Sequence, residues 1–154
     1  MEIGDAIPAV TLTDSDGTAF ALPDAAGPNG LVVYFYPKAD TTGCTREAQD
    51  FTALAPAFAA AGVAVIAVSR DTPAQLARFA AKHALAVRLA GDVDGSACEA
   101  FGTWVEKQMY GRSYMGIERA TFAFDAGGRL AQVWRKVKVP GHAAAVLAAI
   151  GVAN

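Results

Sequence analysis

Leu31-Val32-Val33-Tyr34-Phe35-Tyr36 and Val63-Ala64-Val65-Ile66-Ala67-Val68 are continuous apolar, β-rich runs. A strand with one wet face alternates apolar and polar residues. A run apolar on both faces needs cover on both sides, as in the parallel sheets of α/β proteins. Between the two runs, Thr45 to Ala60 is rich in helix formers and is ended by Gly62. Two buried strands joined through one helix make a βαβ crossover, right-handed by the twist of the strands. Pro56 lacks an amide and its ring clashes with the preceding turn, so a kink or break is expected there.

The rest of the chain extends this core. Val10 to Thr13 and Ala19 to Leu22 flank the turn residues Asp14-Ser15-Asp16-Gly17, which predicts an N-terminal β-hairpin. Thr72-Pro73 followed by Gln75 is a capping-box start for a helix reaching about His83. Val87 to Ala90 is a third parallel strand, and Ser96 to Phe101 a short helix. Ala120 to Phe124 and Arg129 to Val137 form a hairpin about Asp125-Ala126-Gly127-Gly128, and Gly141 to Ile150 is a final helix. Arg135-Lys136-Val137-Lys138 reads as a strand with a charged outer face. The expected fold is α/β, a central mixed sheet with helices on both faces.

At 154 residues, with no internal repeat or composition break, one domain covering residues 1–154 is expected. Net charge is −2 and no Lys/Arg block is present, which disfavours nucleic-acid and anionic-membrane partners. No stretch of about 18 apolar residues predicts a membrane span. The N-terminus has no signal-peptide pattern, and two cysteines make no disulfide framework, so a cytoplasmic setting is expected. Two histidines and two cysteines without close spacing predict no metal site, and Gly27-Pro28-Asn29-Gly30 reads as a turn rather than a phosphate loop. No cofactor is expected.

Chemistry concentrates after the first buried strand, in Pro37-Lys38-Ala39-Asp40-Thr41-Thr42-Gly43-Cys44-Thr45-Arg46-Glu47. Ligands bind at strand C-termini in open α/β sheets. Cys44 falls in the first turn of the following helix, where free amides and the positive dipole end favour a thiolate. Thr41 can set a hydroxyl beside the sulfur. Pro37 ends the strand, stiffens the loop and can shield the thiolate from bulk water. The competing reading of Cys44 is a small buried hydrophobe.

The pattern Pro37-x-x-x-Thr41-x-x-Cys44 resembles the active-site signature of the peroxiredoxins. Tyr34 to Lys38 together with Thr41 to Thr45 resembles the Q-type, or bacterioferritin-comigratory-protein, subfamily. The likeness extends through Cys98 to Gly102, Met109 to Gly111, Gly116-Ile117-Glu118-Arg119, Thr121-Phe122 and Val133 to His142. It implies a thioredoxin-like fold and a thiol-dependent peroxidase acting on hydrogen peroxide and organic hydroperoxides, with an antioxidant role in redox homeostasis. It implies Cys44 as the peroxidatic cysteine, cycling through a sulfenic acid, and Arg119 against its sulfur. Glu47 either orients Arg119 or is a charge suited to the first helical turn.

Many Q-type members carry a resolving cysteine five residues after the peroxidatic one, where this chain has Gln49. Others place it in the following helix, and Pro73 to His83 holds none. Cys98 remains, read as a core residue in preference to a remote resolver. A one-Cys enzyme reduced by an external small thiol, glutaredoxin or thioredoxin is therefore expected, as a monomer more readily than a dimer. A thioredoxin-type dithiol enzyme needs Cys-x-x-Cys, and Glu47 occupies the second place. A non-catalytic redox sensor or binding module on the same fold stays open.

Overall fold

The computed structural model describes residues 1–151. β1 (Thr11–Asp14) and β2 (Ala19–Ala21) pair antiparallel as the expected N-terminal hairpin, and a 3-10 turn at Leu22–Ala25 follows. β3 (Gly30–Phe35), α1 (Thr42–Ala53), α2 (Ala55–Ala60) and β4 (Val63–Ser69) form the crossover, with β3 and β4 parallel. The helix starts at Thr42 rather than Thr45, because Thr41 already has the extended backbone of an N-cap and its carbonyl accepts from the Thr45 amide at 2.8 Å. Pro56 acts as predicted. It cannot donate within α1, so the chain breaks at Leu54 and restarts with Pro56 in the first turn of α2, where a missing amide costs nothing.

α3 (Pro73–His83) carries the reciprocal capping box. The Gln75 amide donates to Thr72 Oγ1 at 3.2 Å, and the Thr72 amide donates to Gln75 Oε1 at 2.8 Å. β5 (Arg88–Gly91) and α4 (Ser96–Phe101) follow. Next come β6 (Trp104–Met109), β7 (Arg112–Ile117), β8 (Ala120–Phe124), β9 (Leu130–Trp134) and α5 (His142–Gly151). Seven strands make one mixed sheet in the order β2-β1-β5-β4-β3-β8-β9, with β3, β4 and β5 parallel at its centre.

Two segments differ from the sequence reading. β6 and β7 form a separate antiparallel ribbon that periodicity did not predict, turning at Tyr110 and Gly111 with φ of +53° and +76°. β9 stops at Trp134 rather than Val137. Lys136 adopts a left-handed φ of +48° and its amide donates to the Glu118 carboxylate at 3.2 Å, so Arg135 to Lys138 is a bent loop and not a charged strand.

β3 is buried on both faces and divides the interior. Leu31, Val33 and Phe35 join Phe101, Phe122, Ile117 and Cys98 on one side. Val32, Tyr34 and Tyr36 join Cys44, Phe51, Phe58, Phe79 and Val146 on the other. On the second side lie α1, α2, α3 and α5, with the Tyr34 ring stacked on Phe51 at 4.4 Å. α4 covers the first side. Among the described residues, no helix is long and apolar enough to cross a membrane.

Candidate active site

β3 delivers the chain to the surface at Pro37, and the loop to α1 is pinned where the strand ends. The Ala39 amide donates to Asp71 Oδ2 at 2.8 Å. Asp40, with a left-handed φ of +63°, accepts from Lys82 Nζ at 2.8 Å and lies 2.8 Å from His83 Nε2, both on the last turn of α3. The sequence offered no spacing rule that would pair Asp40 with residues 42 and 43 positions away.

Thr41 N-caps α1 by backbone alone. Its hydroxyl donates to Lys38 O at 2.8 Å rather than to the sulfur of Cys44 or to a first-turn amide. The first-turn amides therefore have no side-chain cap, and the threonine oxygen keeps its capacity to accept. Pro37 is exposed, and Cys44 owes its burial, 2% exposed, to the apolar side chains packed between β3 and the helices.

Arg119 lies in the short link between β7 and β8. The link is held from outside: Glu118 accepts from Arg135 Nε, and the Arg119 carbonyl accepts from the Val137 amide. That leaves the guanidinium turned inward. Nη2 lies 3.3 Å from Cys44 Sγ and Nη1 donates to Glu47 Oε1 at 2.7 Å. Gly43 makes room, since a Cβ there would meet Nη2 at 3.3 Å. Burial opposes the charge of Arg119, but Glu47 and Cys44 outweigh it and raise its pKa. Glu47 is 1% exposed and its Oε2 has no hydrogen-bond partner, as is also true of the Tyr34 and Tyr36 hydroxyls. Burial pushes the Glu47 carboxyl up to about 7, with Arg119 acting in the opposite direction.

Of the residues singled out in the sequence, Cys44, Arg119 and Glu47 meet within hydrogen-bond reach. Thr41 and Pro37 belong to the same loop without a bond to the sulfur. Cys98 lies on the opposite side of the sheet, its amide donating to Asp92 Oδ2 at 2.8 Å and its thiol pushed up to about 12 by burial and Asp92. Both cysteines are free thiols. His142 opens α5 in the core, with Nε2 2.7 Å from Thr121 Oγ1, and burial followed by Arg119 lowers its pKa. Trp104 is 40% exposed under the Arg70 guanidinium. Among the described residues, no group of three or more His, Cys, Asp or Glu could hold a metal ion.

The sequence profile of the AhpC/TSA family matches residues 3–133. The chain belongs to that family. Peroxiredoxin Bcp of Xanthomonas campestris is 48% identical over 148 residues, spanning 94% of this chain and 92% of its own. A structure of the Xanthomonas campestris bacterioferritin comigratory protein, studied for alkyl peroxide reduction, superposes with a TM-score of 0.87 at 46% identity over 96% of this chain and 98% of that one. Xylella fastidiosa PrxQ superposes with a TM-score of 0.92 at 38% identity, covering 99% and 96% of the two chains. The fold is thioredoxin-like, and the activity of this AhpC/TSA member is that of a thiol-dependent peroxidase.

A buried carboxyl raised to about 7 has a consequence for stability. Its folded pKa lies above the ordinary value of 4.5, so the folded state binds the proton more tightly than the unfolded chain. This contribution is fully present below 4.5 and is lost as pH rises through about 7. Urea unfolding across that window is expected to show stability falling with pH in the parent. Glu47→Gln, which cannot ionise, should lack this part of the slope.

Proposed function

We propose that Cys44 is the peroxidatic nucleophile and that its thiolate attacks one oxygen of hydrogen peroxide or an organic hydroperoxide in line with the O–O bond. The S–O bond forms and the O–O bond breaks. The cysteine becomes a sulfenic acid and an alkoxide or hydroxide departs, taking up a proton. The observation that carries this reading is the guanidinium held 3.3 Å from Cys44 Sγ beside the uncapped first turn of α1. Arg119 and the Cys44 amide stabilise charge on the departing oxygen, and Thr41 Oγ1 accepts the peroxide hydroxyl proton as a hydrogen bond. Pro37 fixes the loop that presents Thr41, and Glu47 orients Arg119.

The same reading makes the chain a one-Cys enzyme working as a single domain and a monomer in the cytoplasm. Gln49 and the cysteine-free α3 leave only Cys98, whose position across the sheet argues against a resolving role. The sulfenic acid is then condensed by an external thiol, releasing water, and a second thiol frees Cys44. A small thiol, glutaredoxin or thioredoxin serves as reductant. The alkyl peroxide activity studied in the Xanthomonas protein supports organic hydroperoxides as substrates here. Peroxide consumption measured with each reductant in turn tests the proposal. Turnover should be supported by at least one of them, and consumption no faster than with reductant alone would overturn it. Cys98→Ser is expected to turn over close to the parent rate. A large loss, with a Cys44–Cys98 bridge found by peptide mapping, would make Cys98 the resolver.

A further inference from the structure

Cys44 is 2% exposed. Hydrogen peroxide is little larger than water, whereas a reducing thiol has to bring its own sulfur to about 2 Å from that of Cys44. A thiol carried on a protein arrives with bulk around it. A sulfur this deeply covered is closed to such a partner until its cover moves.

The cover has a fixed end and a loose end. At Ala39 the backbone is fixed, because its amide donates to Asp71 Oδ2 at 2.8 Å and that oxygen also accepts from Ser69 Oγ at 2.6 Å. From Thr41 onward, the first turn of α1 has no side-chain cap and contains Gly43, and a helix end of that kind frays. Between the two stands Asp40, whose left-handed φ of +63° persists only where its surroundings enforce it. Here α3 enforces it, with Lys82 Nζ donating to Oδ2 at 2.8 Å and His83 Nε2 lying 2.8 Å from Oδ1. His83 and then Lys82 hold the Asp40 carboxyl below its ordinary range, so it is an anion at neutral pH. Beneath the loop, a cavity of about 470 Å³ lined by Lys38, Gln75, Arg78 and Phe79 takes the place of a packed interface, which leaves the closure to this polar bridge. Lys82 and Asp40 are 63% and 43% exposed, so the bridge is weak enough to open.

Building on the peroxidatic role of Cys44, we propose that the bridge from Asp40 to Lys82 and His83 is a latch that holds the Asp40–Cys44 segment closed for peroxide chemistry and, on opening, admits the reducing thiol. With the latch shut, the first turn of α1 stays wound and Arg119 Nη2 stays 3.3 Å from Sγ. With it open, the turn unwinds from Asp40 onward and the sulfenic acid meets the thiol. The S–S bond forms, the S–O bond breaks, and the hydroxyl leaves as water with the thiol's proton. The latch sets the rate of this second half of the cycle and leaves the first half unchanged.

Lys82→Met combined with His83→Phe removes both donors from outside the loop, and the phenyl ring keeps the edge-on packing of His83 against Phe79. In a Cys98→Ser background Cys44 is the one thiol left. Alkylation of reduced Cys44 by a bulky maleimide should then quicken about five-fold, the scale of one lost exposed ion pair. Reduction of the sulfenic acid, by whichever of thioredoxin and glutaredoxin supports turnover, should quicken by the same factor, because both rates follow the open population. Oxidation by hydrogen peroxide should stay close to the parent rate. Unchanged alkylation, oxidation altered as much as alkylation, or reduction that does not follow alkylation would overturn the proposal. Asp40→Asn tests the bridge from the loop side, since asparagine tolerates the left-handed backbone but carries no charge. It should quicken alkylation alone and add little to Lys82→Met with His83→Phe, as partners in one bridge do. Additive gains would overturn the latch. Failure of the peroxidatic reading itself looks different, since parent Cys44 would then not be oxidised by peroxide, whereas alkylation reports on the latch without peroxide.

Discussion

Cys44→Ser is expected to lose peroxide turnover entirely while keeping the parent's circular dichroism spectrum and melting transition. The serine hydroxyl is close in size to the thiol, so the apolar pocket around position 44 stays filled, and the Arg119–Glu47 pair is untouched. What disappears is the nucleophile. A serine hydroxyl is a far weaker acid and nucleophile than a thiol, and no neighbouring base is placed to activate it for attack on an O–O bond. A side chain buried to 2% exposure could equally be a packing residue, and only activity separates the two roles. Turnover retained in a folded Cys44→Ser would reduce Cys44 to packing.

Arg119→Ala has the second-largest expected effect, because one side chain serves both the chemistry and the fold. Loss of a preorganised donor at the reacting centre costs about 10²–10³-fold in rate, and kcat/KM for peroxide should fall by that order. The variant also leaves Glu47 buried without its cation. Breaking such a pair costs about 3–5 kcal/mol when the remaining group is charged. Glu47 escapes part of this by protonating, so the loss of stability should be smaller below about 7 and larger above it. The double variant Arg119→Ala with Glu47→Gln should regain stability and none of the activity. Arg119→Lys should recover little, since a single ammonium cannot reach the sulfur and the carboxylate with separate nitrogens. Equal stability losses at acid and alkaline pH in Arg119→Ala would contradict the ionisation assigned to Glu47.

The sequence and the structure agree where local chemistry is decisive. The apolar runs at 31–36 and 63–68 can be satisfied only by burial on both faces, and Thr72, Pro73 and Gln75 carry a helix start within four residues. Pro56 has one steric consequence wherever it falls in a helix. The β6–β7 ribbon escaped because Trp104 to Met109 mixes charged and apolar residues without alternation, and because a tyrosine rarely occupies a left-handed turn position. Arg135 to Val137 looked like strand because its bend depends on Glu118, 17 and 18 residues earlier in the chain.

The site divides along the same line. The grouping of Thr41 with Cys44 is legible because loop, cap and candidate nucleophile adjoin in sequence. Arg119 stands 75 residues away, and only family resemblance named it. The Thr41 hydroxyl bonds Lys38 rather than the sulfur, a choice set by loop dihedrals that composition does not encode. The unpartnered oxygens of Glu47, Tyr34 and Tyr36 arise from packing across the sheet and have no signature in one dimension.

The most direct test of the account is the intact mass of the unreduced protein after one equivalent of peroxide. The expected product is heavier by one oxygen, with Cys44 reactive toward a sulfenic-acid probe and Cys98 still a free thiol. A protein of unchanged mass with Cys44 still alkylatable would contradict the peroxidatic role. A product lighter by two hydrogens, bridged from Cys44 to Cys98, would contradict the one-Cys mechanism.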